Sequence, residues 1–264
     1  MRIIVFIKQV PETSNVKMDP VTGVMVRDGV ESIVNPLDLY SVETALQLRD
    51  RLGGKVTAVS MGPKTAIKAI KEVISMGCDD GILISDKAFA GSDTHATSYA
   101  LSRALSRLAP FDLALTGVRA TDGDTGQVGP GIASFLDLPF ATDVSAILNA
   151  SEKSLEVERL TESGYASLRM PLPCLISVVK EISNPRLPTL KGKQRARQMD
   201  IPAWTAADLE ADEKLLGLNG SPTRVVKIDR PKVTRSGVTV WIEKTGAEEA
   251  ARQLADFLEK RNLL

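Results

Sequence analysis

The sequence has a single histidine and only two cysteines in 264 residues, and it carries no excess of either charge. Each shortage removes a class of function. One histidine makes a conventional zinc site improbable, and Cys78 and Cys174 lie far apart with neither metal-ligand nor redox spacing around them. They read as two buried free thiols. Lysine plus arginine equals aspartate plus glutamate at 33 each, so no global field draws the chain onto nucleic acid or a membrane. No apolar run nears the length that spans a bilayer. The opening MRIIVFIKQV is too short and strand-like for a signal peptide, and no Arg/Ser-rich transit segment precedes it. A cytoplasmic location is expected. A serine nucleophile elbow, a histidine-based triad, a P-loop and a G-x-G-x-x-G pattern are also missing, which ranks binding or electron transfer above hydrolysis.

What is present begins with a composition that supports a sizeable core, 43% hydrophobic and 25% charged. One large domain or two smaller ones fit this length. Apolar, β-branched runs at RIIVFI from Arg2, KVTAVSM from Lys55, GILIS from Gly81 and DLALTG from Asp112 read as buried strands. Helical patterns lie between them: Leu39, Val42 and Leu46 share one face, as do Ile67, Ile70 and Ile74, and then Leu101, Ala104, Leu105 and Leu108. Strands alternating with amphipathic helices predict an α/β fold, a mostly parallel sheet covered by helices on both faces. Ligands of such sheets sit at the carboxyl ends of the strands.

From Ser154 the texture changes to SLEVERLTESGYASLRMPLPCLISVV, a hairpin around a Ser-Gly turn that feeds another strand. NPRLPTLKGKQRARQMDIPAW follows, basic, proline-rich and without periodicity, and it reads as a long exposed loop. Residues 204–240 carry few core signals and form a candidate arm. The last segment, TGAEEAARQLADFLEK, is a helix in which Thr245 and Glu248 have capping-box spacing and Ala250, Leu254, Phe257 and Leu258 form an apolar stripe. The expected division is therefore 1–203, including a loop over about 184–200, and an arm with its helix over 204–264.

The segment GVRATDGDTGQVGPGIA, residues 117–133, contains five glycines directly after a strand. Asp124 and Gln127 have the spacing of a helix N-cap and a residue reaching back to it, so a helix is expected to start there. Glycines 117, 123, 126 and 129 would let backbone amides point outward and, with the positive end of the helix dipole, cradle a phosphate. Asp122 and Asp124 would repel that phosphate if they faced it, and capping or ribose-hydroxyl roles suit them better. A plain glycine-rich turn accounts for the loop taken alone. A second feature bears on the choice: AGSDTHATSYALSRAL places Asp93, Thr94 and Thr97 at another helix start at the same sheet edge. Two neighbouring helix N-termini suit one diphosphate, although helix capping also explains the threonines. His95 reads as a solvated surface residue.

These residues resemble the small (beta) subunit of electron transfer flavoprotein. VFIKQVPE, DGVESIVNPLDLYSVETALQL, VTAVSMGP, DGDTGQVGP, SFLDLP and NPRLPTL occur in that family's order and spacing over nearly the whole chain. The resemblance implies an adenine-nucleotide-binding α/β domain with an arm that embraces an alpha (large) subunit. Ordinary members hold AMP; in bifurcating members FAD takes its place and receives a hydride pair from NADH. DGDTGQVGP and the SDTHATS helix start are similar to the second group, which includes nitrogen-fixation relatives. A pocket is implied at Phe6, Asn35, Pro36, Leu37, Asp38, Met61, Asp93, Thr94, Thr97, Gly117 and the loop Asp122, Gly123, Asp124, Thr125, Gly126, Gln127, Val128 and Gly129, with FAD expected and AMP the alternative. This chain departs from the family at Val118 and Arg119, where Arg119 would add charge to a diphosphate site, and in the hairpin at Ser163 and Ala166.

The resemblance further implies that Leu190 anchors in a pocket of a partner dehydrogenase, a flavin-dependent enzyme such as an acyl-CoA dehydrogenase. An exposed leucine amid Lys191, Lys193, Arg195 and Arg197 also suits an apolar anchor within a steering rim, although charge runs are usually just solvated. NADH would be oxidised only in the complex, with ferredoxin or flavodoxin as the low-potential acceptor. No side chain is required as acid or base, because the cofactor carries the redox chemistry.

Overall fold

The strand and helix alternation expected from the sequence is what the computed structural model contains; it describes residues 1–12, 32–226 and 239–263. In chain order the elements are β1 (Arg2–Phe6), β2 (Gln9–Pro11), β3 (Ser32–Val34), α1 (Pro36–Leu52), β4 (Lys55–Met61), α2 (Ile67–Met76), β5 (Asp80–Ile84), α3 (Thr94–Arg107), β6 (Leu113–Gly117) and α4 (Val128–Phe135). There follow β7 (Phe140–Ala150), β8 (Ser154–Thr161), β9 (Gly164–Pro171), β10 (Cys174–Val178), α5 (Leu190–Gln198), β11 (Ala203–Trp204), α6 (Ile242–Thr245) and α7 (Ala247–Glu259).

A nine-stranded sheet runs β11-β5-β4-β1-β6-β10-β7-β8-β9, parallel from β11 to β7 and antiparallel at the β7–β8 and β8–β9 pairs. Alternation along β1 sends Ile3, Val5 and Ile7 to one core and Ile4 and Phe6 to the other, as expected of a strand buried on both faces. The first core packs on α1, α2 and Ala196 of α5. The second packs on α3 and α4. The chain builds β1, β4 and β5 outward, then crosses back to lay β6 on the other side of β1. Between β1 and β6 the direction of winding reverses, and the carboxyl ends of these two strands open a crevice.

Both cysteines are buried free thiols, as expected, and burial pushes each up to about 12. The hairpin forms around Glu162 and Ser163.

Four expectations need correction. The basic, proline-rich segment is not a long loop: Thr189 caps α5 by accepting from the Gly192 amide, and the chain then joins the sheet edge as β11. Gly192 makes this possible, since a Cβ there would lie 2.1 Å from the Ser75 carbonyl oxygen of α2. Residues 204–226 are not an arm either. The chain divides into Met1–Val226 and Lys227–Leu264, because Ala206, Leu209 and Leu216 are buried in the second core beside Phe89 and Leu105. Of the expected arm, 227–238 and 264 lie outside the described residues.

Thr245 does not cap the last helix. It closes the single turn of α6, and Gly246, at φ +83°, starts α7 without a side-chain cap. The Asp124–Gln127 cap also fails. Asp124 sits in the left-handed region at φ 53° and pairs with Arg119, while Gln127 precedes α4 without capping it.

Candidate nucleotide site

The Asn35-Pro36-Leu37-Asp38 turn holds the crevice together. Asn35 is fully buried: its amide donates to the Lys8 carbonyl at 2.8 Å, its Nδ2 donates to the Arg119 carbonyl at 2.9 Å, and its Oδ1 accepts from the Thr121 amide at 3.2 Å. One residue thus brackets the segments leaving β1, through its backbone amide, and β6, through its side chain. Pro36 occupies the first turn of α1, where its missing N–H leaves no donor unmet. Asp38 Oδ2 accepts from the Lys8 amide at 2.7 Å, and the Gly117 amide also donates to this carboxyl. A Cβ on residue 117 would lie 2.4 Å from Asp38 Oδ1 and 2.9 Å from the Leu37 backbone, so this close approach requires glycine. Burial pushes the Asp38 carboxyl up to about 7, against the opposing hydrogen bonds from Asn35, Lys8 and Gly117.

Above this turn lies a cleft of about 410 Å³. Of the residues singled out in the sequence, Phe6, Asp38, Met61, Asp93, Thr94, Thr97, Gly117, Gly123, Asp124, Thr125, Gly126, Gln127, Val128 and Gly129 line it. Asn35, Pro36, Leu37 and Asp122 do not. The first three position the walls, and Asp122 Oδ1 binds the Lys8 ammonium at 2.7 Å. Lining residues that sequence reasoning passed over include Lys8, Thr116, Phe89 and Leu101. Lys8 and Thr116 were findable, since each stands at the carboxyl end of a strand beside the winding reversal. Phe89 and Leu101 carried no signal beyond being apolar.

The start of α3 is capped by Asp93, whose Oδ1 accepts from the His95 and Ala96 amides. Its Oδ2 accepts from the Thr223 amide and hydroxyl. Burial works to raise this carboxyl, and these hydrogen bonds outweigh it and hold it below the usual carboxylate range. Asp93 is thereby committed to the protein. Thr94 Oγ1 donates to Gln127 Oε1 at 2.8 Å, which fixes the starts of α3 and α4 side by side. His95 is exposed, its ring edge-on to Phe135 at 5.2 Å.

The amides of Thr125, Gly126, Gln127, Val128 and Gly129 find no acceptor among the described residues, so consecutive donors lead into the positive end of α4. Beneath them the Thr116 hydroxyl is buried without a partner, and a Cβ on residue 129 would come within 2.7 Å of it. Unpaired buried polar groups are rare in folded proteins, and they cluster where a ligand or water completes them. A donor-rich loop, an unpaired hydroxyl and an apolar floor of Phe6, Met61 and Phe89 together suit a nucleotide carrying phosphate.

The anchor segment has a different construction. Arg186 donates to both oxygens of buried Glu43 and to Asp50, tying the chain before α5 to α1. Leu187 and Leu190 stand out beyond this tie, and Lys191 and Lys193 are exposed beside them. Arg195 does not join the rim as a free cation. Its guanidinium donates to the Ile74 and Cys78 carbonyls at the end of α2, where a cation complements the helix dipole.

Comparison with known proteins bears directly on this architecture. Residues 22–209 match the electron transfer flavoprotein domain. The chain belongs to the beta subunits of the electron transfer flavoprotein family. It is 43% identical over 265 residues to the electron transfer flavoprotein subunit beta of Thermoanaerobacterium thermosaccharolyticum, covering all of both chains. It is 44% identical to protein FixA of Azotobacter vinelandii, over 88% of this chain and 85% of that one. With the caffeyl-CoA reductase-Etf complex subunit CarD of Acetobacterium woodii it shares 39% identity across both full lengths. Membership in the electron transfer flavoprotein beta subunits carries electron transport, a flavin-related cofactor and pairing with an alpha subunit. No helix of the described residues is long and apolar enough to cross a membrane.

Proposed function

We propose that this beta subunit binds FAD in the cleft between β1 and β6 and takes part in flavin-based electron bifurcation. Electrons would pass from NADH to a flavin-dependent dehydrogenase and to a low-potential acceptor, ferredoxin or flavodoxin. The observation that carries the reading is the run of unpaired amides from Thr125 to Gly129 beside the start of α3. AMP offers one phosphate to such a surface. A diphosphate offers two, and the amides leading into α4, with the Thr97 hydroxyl of α3 beside them, supply donors for both. Similarity to a subunit of the caffeyl-CoA reductase-Etf complex, full-length in both chains, supports action in a complex with a partner oxidoreductase.

Among the chain's own residues, the amides of 125–129 would bind phosphate and the Thr97 hydroxyl would orient it, with Thr94 holding Gln127 in place beside it. Phe6, Met61 and Phe89 would hold the apolar ring system and exclude water from it. When bound, FAD supplies the redox chemistry, accepting two electrons together and releasing them separately. The chain's contribution is placement, desolvation and the electrostatics set by Asp38 and its neighbours. On the opposite surface, Leu190 would anchor the partner dehydrogenase, with Lys191 and Lys193 steering its approach.

The deciding measurement is the nucleotide content of the complex with its alpha subunit. Acid release and chromatography should yield two FAD per heterodimer and no AMP. One FAD with one AMP would overturn the bifurcation reading and assign the glycine loop to a structural ligand.

A further inference from the structure

The aspartates of the glycine loop pose a problem for any phosphate ligand, and the structure contains its resolution. Lys8 leaves the end of β1 and Arg119 leaves the end of β6, so one cation stands on each side of the winding reversal. Both line the cleft. Each is engaged by an acid of the loop: Lys8 Nζ lies 2.7 Å from Asp122 Oδ1, and Arg119 Nε lies 2.9 Å from Asp124 Oδ1. The backbones of the two cations are tied to one residue, because Asn35 donates to the carbonyl of Lys8 and to that of Arg119. Their spacing is therefore fixed by a buried bracket.

We propose that Lys8 and Arg119 form a charge-exchange clamp, each surrendering its loop aspartate to take one phosphate group of the ligand, so that the cleft selects a diphosphate over a monophosphate. The inference rests on the nucleotide reading above and deepens it by naming what distinguishes the two nucleotide classes.

The energetics favour exchange. Both ion pairs are well exposed, with side chains between 32% and 68% accessible, and pairs of this kind contribute little to stability. A phosphate group offers more acceptor oxygens than a carboxylate, and arginine can meet it with two parallel hydrogen bonds. The unpaired amides of Thr125–Gly129 and the partnerless Thr116 hydroxyl already await acceptors in the same cleft. A diphosphate satisfies the amides and both cations together. A monophosphate reaches only one cation and leaves the other with its aspartate. The exchange also answers the repulsion expected from Asp122, which is not among the residues lining the cleft and restrains Lys8, which is.

The test uses the full heterodimer stripped of nucleotide, titrated calorimetrically with ADP and with AMP. Wild type should bind ADP at least about tenfold more tightly. Lys8→Met and Arg119→Gln should each weaken ADP by about tenfold while changing AMP by less than about threefold. Asp122→Asn carries the decisive sign. Freeing Lys8 from its competitor should strengthen ADP binding severalfold, whereas a merely structural role for the pair would weaken it. Equal affinities of wild type for ADP and AMP, or weaker ADP binding by Asp122→Asn, would overturn the clamp and leave the nucleotide reading standing. Failure of wild type to bind either nucleotide would overturn both.

Discussion

Asp38 and Glu43 are buried carboxyls on the same helix, and their surroundings push them in opposite directions. Asp38 faces the cleft, meets backbone amides and Asn35, and is pushed by burial up to about 7. Glu43 faces the anchor segment. Burial raises it too, but hydrogen bonds from Arg186 and Gln47 outweigh burial and hold it below the usual carboxylate range. The difference is the kind of partner. Amides and amide side chains satisfy lone pairs without supplying a full charge, whereas a bidentate guanidinium supplies both. At the anchor end the charges of α1 are matched within the chain. At the cleft end they are left to be completed from outside, together with the Thr116 hydroxyl and the amides of 125–129.

The largest expected effect comes from removing the charge of Asp38. In the folded chain this carboxyl holds a proton below about 7, and in the unfolded chain only below 3.8, so its contribution to stability falls as pH rises between these values. The span corresponds to about 4 kcal/mol. Asp38→Asn cannot ionise. Its unfolding free energy, measured by denaturant titration at about pH 4 and about pH 8, should therefore lack a fall of about 4 kcal/mol that wild type shows. Identical pH profiles for the two would mean that Asp38 is solvated and ionised, and the contrast along α1 would collapse.

Breaking the matched end should have the next largest effect. Arg186→Ala leaves Glu43 buried with only Gln47 as a side-chain partner, and an uncompensated buried charge costs about 3 kcal/mol. The variant should also leave burial to push Glu43 upward against Gln47 alone, adding a loss of stability as pH rises above the usual carboxylate range. A midpoint shift in urea without that new pH slope would show that Arg186 acts through packing alone.

Smaller and opposite in sign is the effect of Thr116→Val. The hydroxyl has no partner among the described residues, so replacing it with a methyl of similar shape should stabilise the nucleotide-free chain by about 1 kcal/mol. The same change should weaken nucleotide binding, since the ligand or its bound water then loses a partner. A variant less stable than wild type would show that the hydroxyl is already satisfied within the protein.

The contrast also marks what was legible in sequence. Both halves of the nucleotide edge follow from local patterns: apolar runs for β1 and β6, glycines after β6, and hydroxyls after β5. The matched end was invisible because Arg186 and Glu43 lie far apart in the chain, and the motifs that contain them, NPRLPTL and DGVESIVNPLDLYSVETALQL, do not record that they pair. α5 was missed for a related reason. In LKGKQRARQ only Ala196 is buried, so no apolar stripe announces a helix. Contacts to α2 through Gly192 and Arg195 support it instead. The Thr189 cap was the available signal. The loop 117–129 was read correctly as glycine-rich backbone and wrongly as a capping box, because spacing records where Asp124 stands and cannot record that Arg119 claims it.

Leu190 should give the smallest effect on stability and thereby separate docking from folding. Its side chain is 88% exposed, and Leu187 nearby is 84% exposed, while the backbone that presents them is fixed by Arg186 on one side and the Thr189 cap on the other. A rigid base carrying an exposed leucine is the construction expected of a docking anchor, since little ordering remains when a partner arrives. Leu190→Ala should change unfolding free energy by less than about 0.5 kcal/mol. Nucleotide content should stay the same, and the rate of electron transfer to the dehydrogenase should fall by about tenfold or more. Because Arg186→Ala loosens the base without touching the leucine, it should slow transfer as well, through the same surface and with a stability loss that Leu190→Ala does not share. If Leu190→Ala instead lowers stability and transfer together, the leucine packs within its own chain and the anchor lies elsewhere. Leu187, exposed on the same base, is the residue to replace next.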